Sequence, residues 1–96
     1  MARVIVAEPA RRDLADLTSS RRLPPTARDR VRRSLEPLAR FRLLGPALEG
    51  RWHGFRSMFG PWPWMVIVYT VDDEQDLVIV VTIQDTRARM AARSQR

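Results

Sequence analysis

"WMVIVYTVDDEQDLVIVVTI", residues 64–83, decides how this chain folds. Residues 64–71 and 77–83 are runs of β-branched and apolar side chains, the kind that fit a pleated, half-buried surface. Between them DDEQD (72–76) carries four acids, which can sit in water but cannot pack. Two such runs joined by a short polar turn read as an antiparallel hairpin. Both are apolar at nearly every position. Each face of the hairpin therefore needs cover, one from helices and the other from the tail or a partner.

Upstream, "RWHGFRSMF" (51–59) reads as a third strand, joined to the hairpin through the corner "GPWPWM" (60–65). "RVIVAE" (3–8) reads as a short first strand. Between these lie two helical patterns. "PARRDLADL" (9–17) starts with a proline suited to a first turn and places Ala10, Leu14 and Leu17 on one stripe. "TARDRVRRSLEPLARF" (26–41) places Ala27, Val31, Leu35 and Leu38 on one face, with Thr26 as a candidate cap and Asp29 three residues on. Pro37 lacks an amide hydrogen and collides with the preceding turn, so this helix ends or kinks near Glu36. "TSSRRLPP" (18–25) and Gly45–Pro46 are breaks.

The expected architecture is α+β, in the order β-α-α-β-β-β: an antiparallel sheet with two helices packed on one face. Residues 1–96 form one domain, and 87–96 are a basic tail or a short helix. A helix pair alone would leave its apolar stripes wet, so both must lie on the sheet.

The chain has 96 residues, 45% of them hydrophobic, enough for one core but not two. It contains no uninterrupted apolar run of about 18 residues, so no membrane span is expected. Glu8 interrupts the apolar start, which argues against a signal peptide. Together with the absence of cysteine, this points to the cytoplasm. All 17 basic residues are arginine, against 11 acids, giving a net charge of +6. Planar, permanently charged forks of this kind suit phosphates and carboxylates, so nucleic acid or an acidic protein is the expected partner. One histidine and no cysteine leave no zinc set, and no glycine-rich phosphate loop or activated nucleophile is present.

"ARRDLADL", "LEPLARF", "GPALEG" (45–50), "FRSMFG", "VIVYTVDD" (66–73) and the valine-rich last strand followed by arginines, in that order, resemble the RelE/ParE superfamily of bacterial toxins. The resemblance covers nearly the whole chain. It implies a type II toxin held inactive by a cognate antitoxin, whose acidic segment wraps the toxin or adds to the sheet edge near "RVIVAE". In the RelE-like branch the toxin cuts mRNA on the ribosome by 2′-hydroxyl attack, with no metal or cofactor. In the ParE-like branch it inhibits DNA gyrase without nuclease activity, and a degenerate member would bind only its antitoxin. The short helical hairpin leans toward the RelE-like branch.

The resemblance carries Arg56, before Gly60, and Arg87, after the last strand, onto catalytic positions. Arg51 and Arg89 are further phosphate-binding candidates. Arg56 has a structural alternative, its stem covering Trp52 or Met58. His53 is a catalytic candidate because only its ordinary pKa lies near neutrality. On an extended strand, however, it would point away from Arg56. Trp62 and Trp64 are candidates for stacking on RNA bases, or for a partner contact. One departure is plain. Where the family pattern has Gly-Asp-Tyr-Arg, this chain has "GPWPWM", and the arginine's place falls on Met65 or Val66. The tail also lacks a tyrosine or histidine to carry a proton.

Overall fold

The structure, a computed structural model, describes residues 1–87. The expected hairpin forms. Strand β3 (Met65–Asp72) pairs antiparallel with β4 (Leu77–Asp85) across the acidic turn, where the Asp72 carboxylate accepts the Gln75 N–H. The register slips once: Val68 faces Thr82 while Tyr69 faces Val80, leaving Val81 as an extra residue. This bulge resets the alternation of β4. Val78, Val80 and Ile83 thereby all turn to the face that carries Met65, Ile67 and Tyr69. All six are buried, each burial contributing about 1.5–3 kcal/mol.

Before the hairpin come β1 (Arg3–Val6), α1 (Glu8–Ser20), α2 (Ala27–Leu35), two 3₁₀ turns (Glu36–Ala39 and Gly50–Trp52) and β2 (Arg56–Phe59). The buried positions of α1 are Ala10 and Leu14; those of α2 are Ala27, Val31 and Leu35. These stripes pack on the Tyr69 face of the sheet and complete one core. α2 ends at Leu35, as Pro37 requires, and Leu38 in the 3₁₀ turn extends its apolar face. Thr26 makes no capping hydrogen bond, so that expectation fails.

The four strands lie in the order β1-β4-β3-β2. The three C-terminal strands are antiparallel as expected, but β1 runs parallel to β4, so the sheet is mixed. The path of the helices explains this. β1 stops opposite Val80, and α1 carries on alongside the part of β4 that β1 does not reach. There the Asp13 carboxylate accepts the Thr82 hydroxyl at 2.6 Å and the Ile83 N–H at 3.1 Å, covering an otherwise open strand edge. Farther along, Arg21 meets Asp85. α2 then returns, bringing the Ala39 carbonyl to the Ala2 N–H.

β2 is shorter than expected. Gly50 and Gly54 take positive φ values of 67° and 93°, and residues 50–52 coil, so extended structure begins only at Arg56. The tail expected at 87–96 lies, apart from Arg87, outside the described residues. Among the described residues, no helix is long and apolar enough to cross a membrane.

Candidate functional site

The corner between β2 and β3 is a tight turn. Gly60 and Met65 close it through the Gly60 N–H to the Met65 carbonyl, and the Met65 N–H reaches the Trp62 carbonyl, both at 2.9 Å. A Cβ at Gly60 would come within 2.6 Å of the Met65 sulfur, so any larger residue there would displace the buried Met65 side chain. Closed in this way, the turn stacks Trp62 and Trp64, with ring centroids 6.2 Å apart and an interplanar angle of 27°.

Three arginines from three elements converge on these rings. Arg30 of α2 lies 4.4 Å from the Trp62 centroid. Arg21, which caps α1, and Arg87, just past β4, each lie 5.4 Å from the Trp64 centroid. A guanidinium over an indole face is attracted by the negative face of the ring. The Thr86 N–H and hydroxyl both donate to the Trp64 carbonyl, which fixes the start of the tail against the turn.

Beneath the rings sits Asp85, the one buried charged side chain among the described residues. Its carboxylate accepts from the Arg21 guanidinium and from the Arg87 N–H at 2.9 Å, with the Arg87 Nε at 3.7 Å. Burial alone would raise the Asp85 pKa. The Arg87 N–H, the Arg21 hydrogen bond and the charges of both arginines outweigh it and hold the carboxyl below its ordinary value. The corner thus carries three cations against one committed anion. It is suited to bind a phosphate or carboxylate.

The residues singled out in the sequence divide between two ends of the sheet. Arg87, Trp62 and Trp64 meet in the corner. Arg56 pairs with Tyr69, four residues along β3 from Met65 and so about 13 Å away. Its Nη1 donates to the Gly45 carbonyl at 2.8 Å and the Leu43 carbonyl at 3.4 Å. Arg51 and His53 are exposed in and just after the second 3₁₀ turn, not on a strand. That turn lies toward Arg56's end, where the Thr70 hydroxyl donates to the Gly54 carbonyl. Trp52 packs edge-on against Phe55 at 5.5 Å. Arg89 lies outside the described residues. Arg51, His53 and Arg56 therefore lie toward one end of the sheet and Arg87 at the other.

Sequence reasoning missed Arg21, Arg30 and Asp85. Arg21 sits in a break and Arg30 in a run of helix-surface arginines, so neither carries a local signal. Asp85 stands at the end of an apolar strand, where a lone acid was the available clue.

A profile of the ParE toxin of the type II toxin–antitoxin system parDE matches residues 4–90. A search of curated protein sequences returned no match. Among solved structures, the toxin–antitoxin complex RelBE2 of Mycobacterium tuberculosis contains a chain of similar fold. Its TM-score is 0.65 at 26% identity, over 88% of this chain and 96% of that one. A copper-bound mutant toxin from Helicobacter pylori gives a TM-score of 0.68 at 20% identity, over 92% and 98%. An E. coli RelE mutant in complex with an antitoxin RelBc peptide gives 0.63 at 19%, over 95% and 93%. The matched profile spans the sheet, both helices and the arginine–tryptophan corner, and the chain belongs to the ParE toxin family, the toxins of type II toxin–antitoxin systems within the RelE/ParE superfamily.

Proposed function

We propose that this toxin, when free of its antitoxin, acts by binding its target and not by cutting RNA, as an inhibitor of DNA gyrase of the ParE-like kind. The observation that carries this reading is the content of the corner. It holds arginines, which are poor proton carriers, and one carboxylate already engaged by two hydrogen-bond donors and the nearby Arg87 guanidinium. The single histidine, His53, is exposed toward the other end of the sheet, and the single tyrosine, Tyr69, is fully buried. General acid–base help is typically worth about a hundred- to ten-thousand-fold in rate, and 2′-hydroxyl attack would go without it here. A cationic, aromatic surface with no proton carrier is suited to hold an acidic protein surface.

A second reading, ribosome-dependent mRNA cleavage, is favoured by one observation. Met65 and Val66 occupy the place of the family's corner arginine, and Arg21, Arg30 and Arg87 bring guanidiniums to the same corner from elsewhere. In both readings an antitoxin is the partner that silences the chain. The relatives described as complexes with antitoxins support that expectation.

Purified toxin added to gyrase in a supercoiling assay should inhibit the enzyme, while transcripts mapped after induction stay intact. New 5′ ends inside translated codons, with supercoiling unaffected, would overturn the gyrase reading in favour of cleavage.

A further inference from the structure

The three arginines of the corner are not equivalent. Arg21 and Arg87 are both turned to Asp85, so much of their charge is already answered. Arg30 is different. It stands exposed on α2, and its guanidinium carbon lies 4.4 Å over the Trp62 ring. Asp29, the acid beside it in sequence, pairs with Arg32 instead, at 3.3 Å. Among the described residues, the Arg30 guanidinium has no ion-pair partner. Arg33, one turn farther along α2, is exposed in the same way but has no aromatic ring beneath it.

The support under Arg30 is rigid. Pro61 and Pro63 flank Trp62, and their rings stiffen the backbone on either side of it. The Met65 N–H holds the Trp62 carbonyl, and the Trp64 ring stacks on the Trp62 ring. On the other side, the Arg30 N–H donates to the Thr26 carbonyl at 2.9 Å, and the next residue, Val31, is buried in the core. Ring and guanidinium are thus brought together by the fold before any target arrives, which lowers the cost of ordering them on binding.

A guanidinium lying on a ring still has N–H donors around its rim, in the fork geometry that a carboxylate or phosphate accepts in pairs. The rings favour the carboxylate of a protein over a nucleic acid. A nucleobase needs an open aromatic face to stack on. Arg30 and Trp64 already lie against Trp62, and Arg21 and Arg87 already lie over Trp64. A base would have to displace one of them, whereas a carboxylate needs only the free rim of Arg30.

We infer that Arg30, carried on Trp62, is the anchor by which the corner grips a carboxylate on its target protein. The inference rests on the gyrase reading above and names the contact within it. Arginine and tryptophan are the residues that most often dominate such interfaces.

Purified gyrase is the probe, with the full-length toxin titrated into a supercoiling assay. Arg30→Ala should inhibit about 100-fold more weakly than wild type. Arg30→Lys keeps the charge but loses the planar fork, and should inhibit about tenfold more weakly. Arg33→Ala removes the same charge where no ring supports it, and should stay within about threefold of wild type. Both positions are exposed, so all three variants should keep the thermal midpoint. Trp62→Leu should weaken inhibition as well, and adding Arg30→Ala to it should cost little more, because the two side chains act as a unit. If wild-type toxin leaves gyrase untouched, the gyrase reading fails and the anchor with it. If wild type inhibits and Arg30→Ala matches it, or Arg33→Ala falls as far, the gyrase reading stands and the anchor is wrong. New 5′ ends in translated transcripts that disappear with Arg30→Ala, with supercoiling unaffected by wild type, would overturn the inference by showing RNA phosphate on this fork.

Discussion

Asp85 shows how one residue can matter without being conspicuous in the sequence. Its folded-state pKa lies below the ordinary value of 3.8. A depressed carboxyl pKa contributes stability that is fully present above that ordinary value and is lost as pH falls through the folded value. Asp85→Asn should therefore lower the thermal midpoint at neutral pH, and the two proteins should converge as pH drops below about 4. Thermal unfolding at a series of pH values checks this; midpoint curves that stay parallel down to acid would contradict it. Arg56 teaches the opposite lesson. It is conspicuous in sequence as a lone cation before the corner, yet the fold sets it to hold carbonyls. Nothing local distinguishes a guanidinium aimed at phosphate from one aimed at a carbonyl, because the donor fork is the same. Arg21 and Arg30 escaped notice as companions of Arg87 for a related reason. Arg21, Arg30 and Arg87 are far apart in sequence, and only the return of α2 brings them over the same two rings.

Among the elements, the β3–β4 hairpin was readable because its composition and its acidic turn agree. The end of α2 was readable from Pro37 alone. β2 was overextended because residues 51–55 have strand-like composition, while Gly50 and Gly54 permit the left-handed backbone that interrupts it. The alternation of β4 was hidden by its bulge, which no residue type announces. The connection between α2 and β2 is fixed most tightly at Gly45, which is buried. A Cβ there would lie 2.0 Å from the Ser57 carbonyl oxygen and 3.2 Å from the Tyr69 hydroxyl. Gly45→Ala should push this connection off β2, lowering the unfolding midpoint and raising hydrogen exchange at the Ser57 N–H, which donates to the Pro46 carbonyl. Gly54→Ala, with open space around its Cα, should instead show only the cost of its positive φ, about 1 kcal/mol. Equal losses at the two glycines, measured by denaturant unfolding, would show that the close approach at Gly45 is not the cause.

At the scale of the whole molecule, the layer arrangement was readable and the sheet order was not. Two apolar helical stripes and a hairpin apolar on both sides require helices on a sheet, whatever the order of the strands. The direction of β1 depends on where α1 goes, and the residues that guide it, Asp13 and Arg21, look like ordinary surface charges. Leu38 is where the layers meet: it is fully buried and follows α2 at the point where the chain comes back to β1. Leu38→Ala should cost about 2–5 kcal/mol in denaturant unfolding, the range for a cavity in a packed core. A loss below that range would mean the site collapses around the smaller side chain.

The last strand of the sequence lies between the first and the third. During synthesis, β1 has no neighbour to pair with until residues 77–85 have left the ribosome, and the two helices have no completed floor to rest on. A chain that stops short of β4 therefore leaves β1 unpaired and the apolar faces of both helices in water, and this sheet cannot assemble.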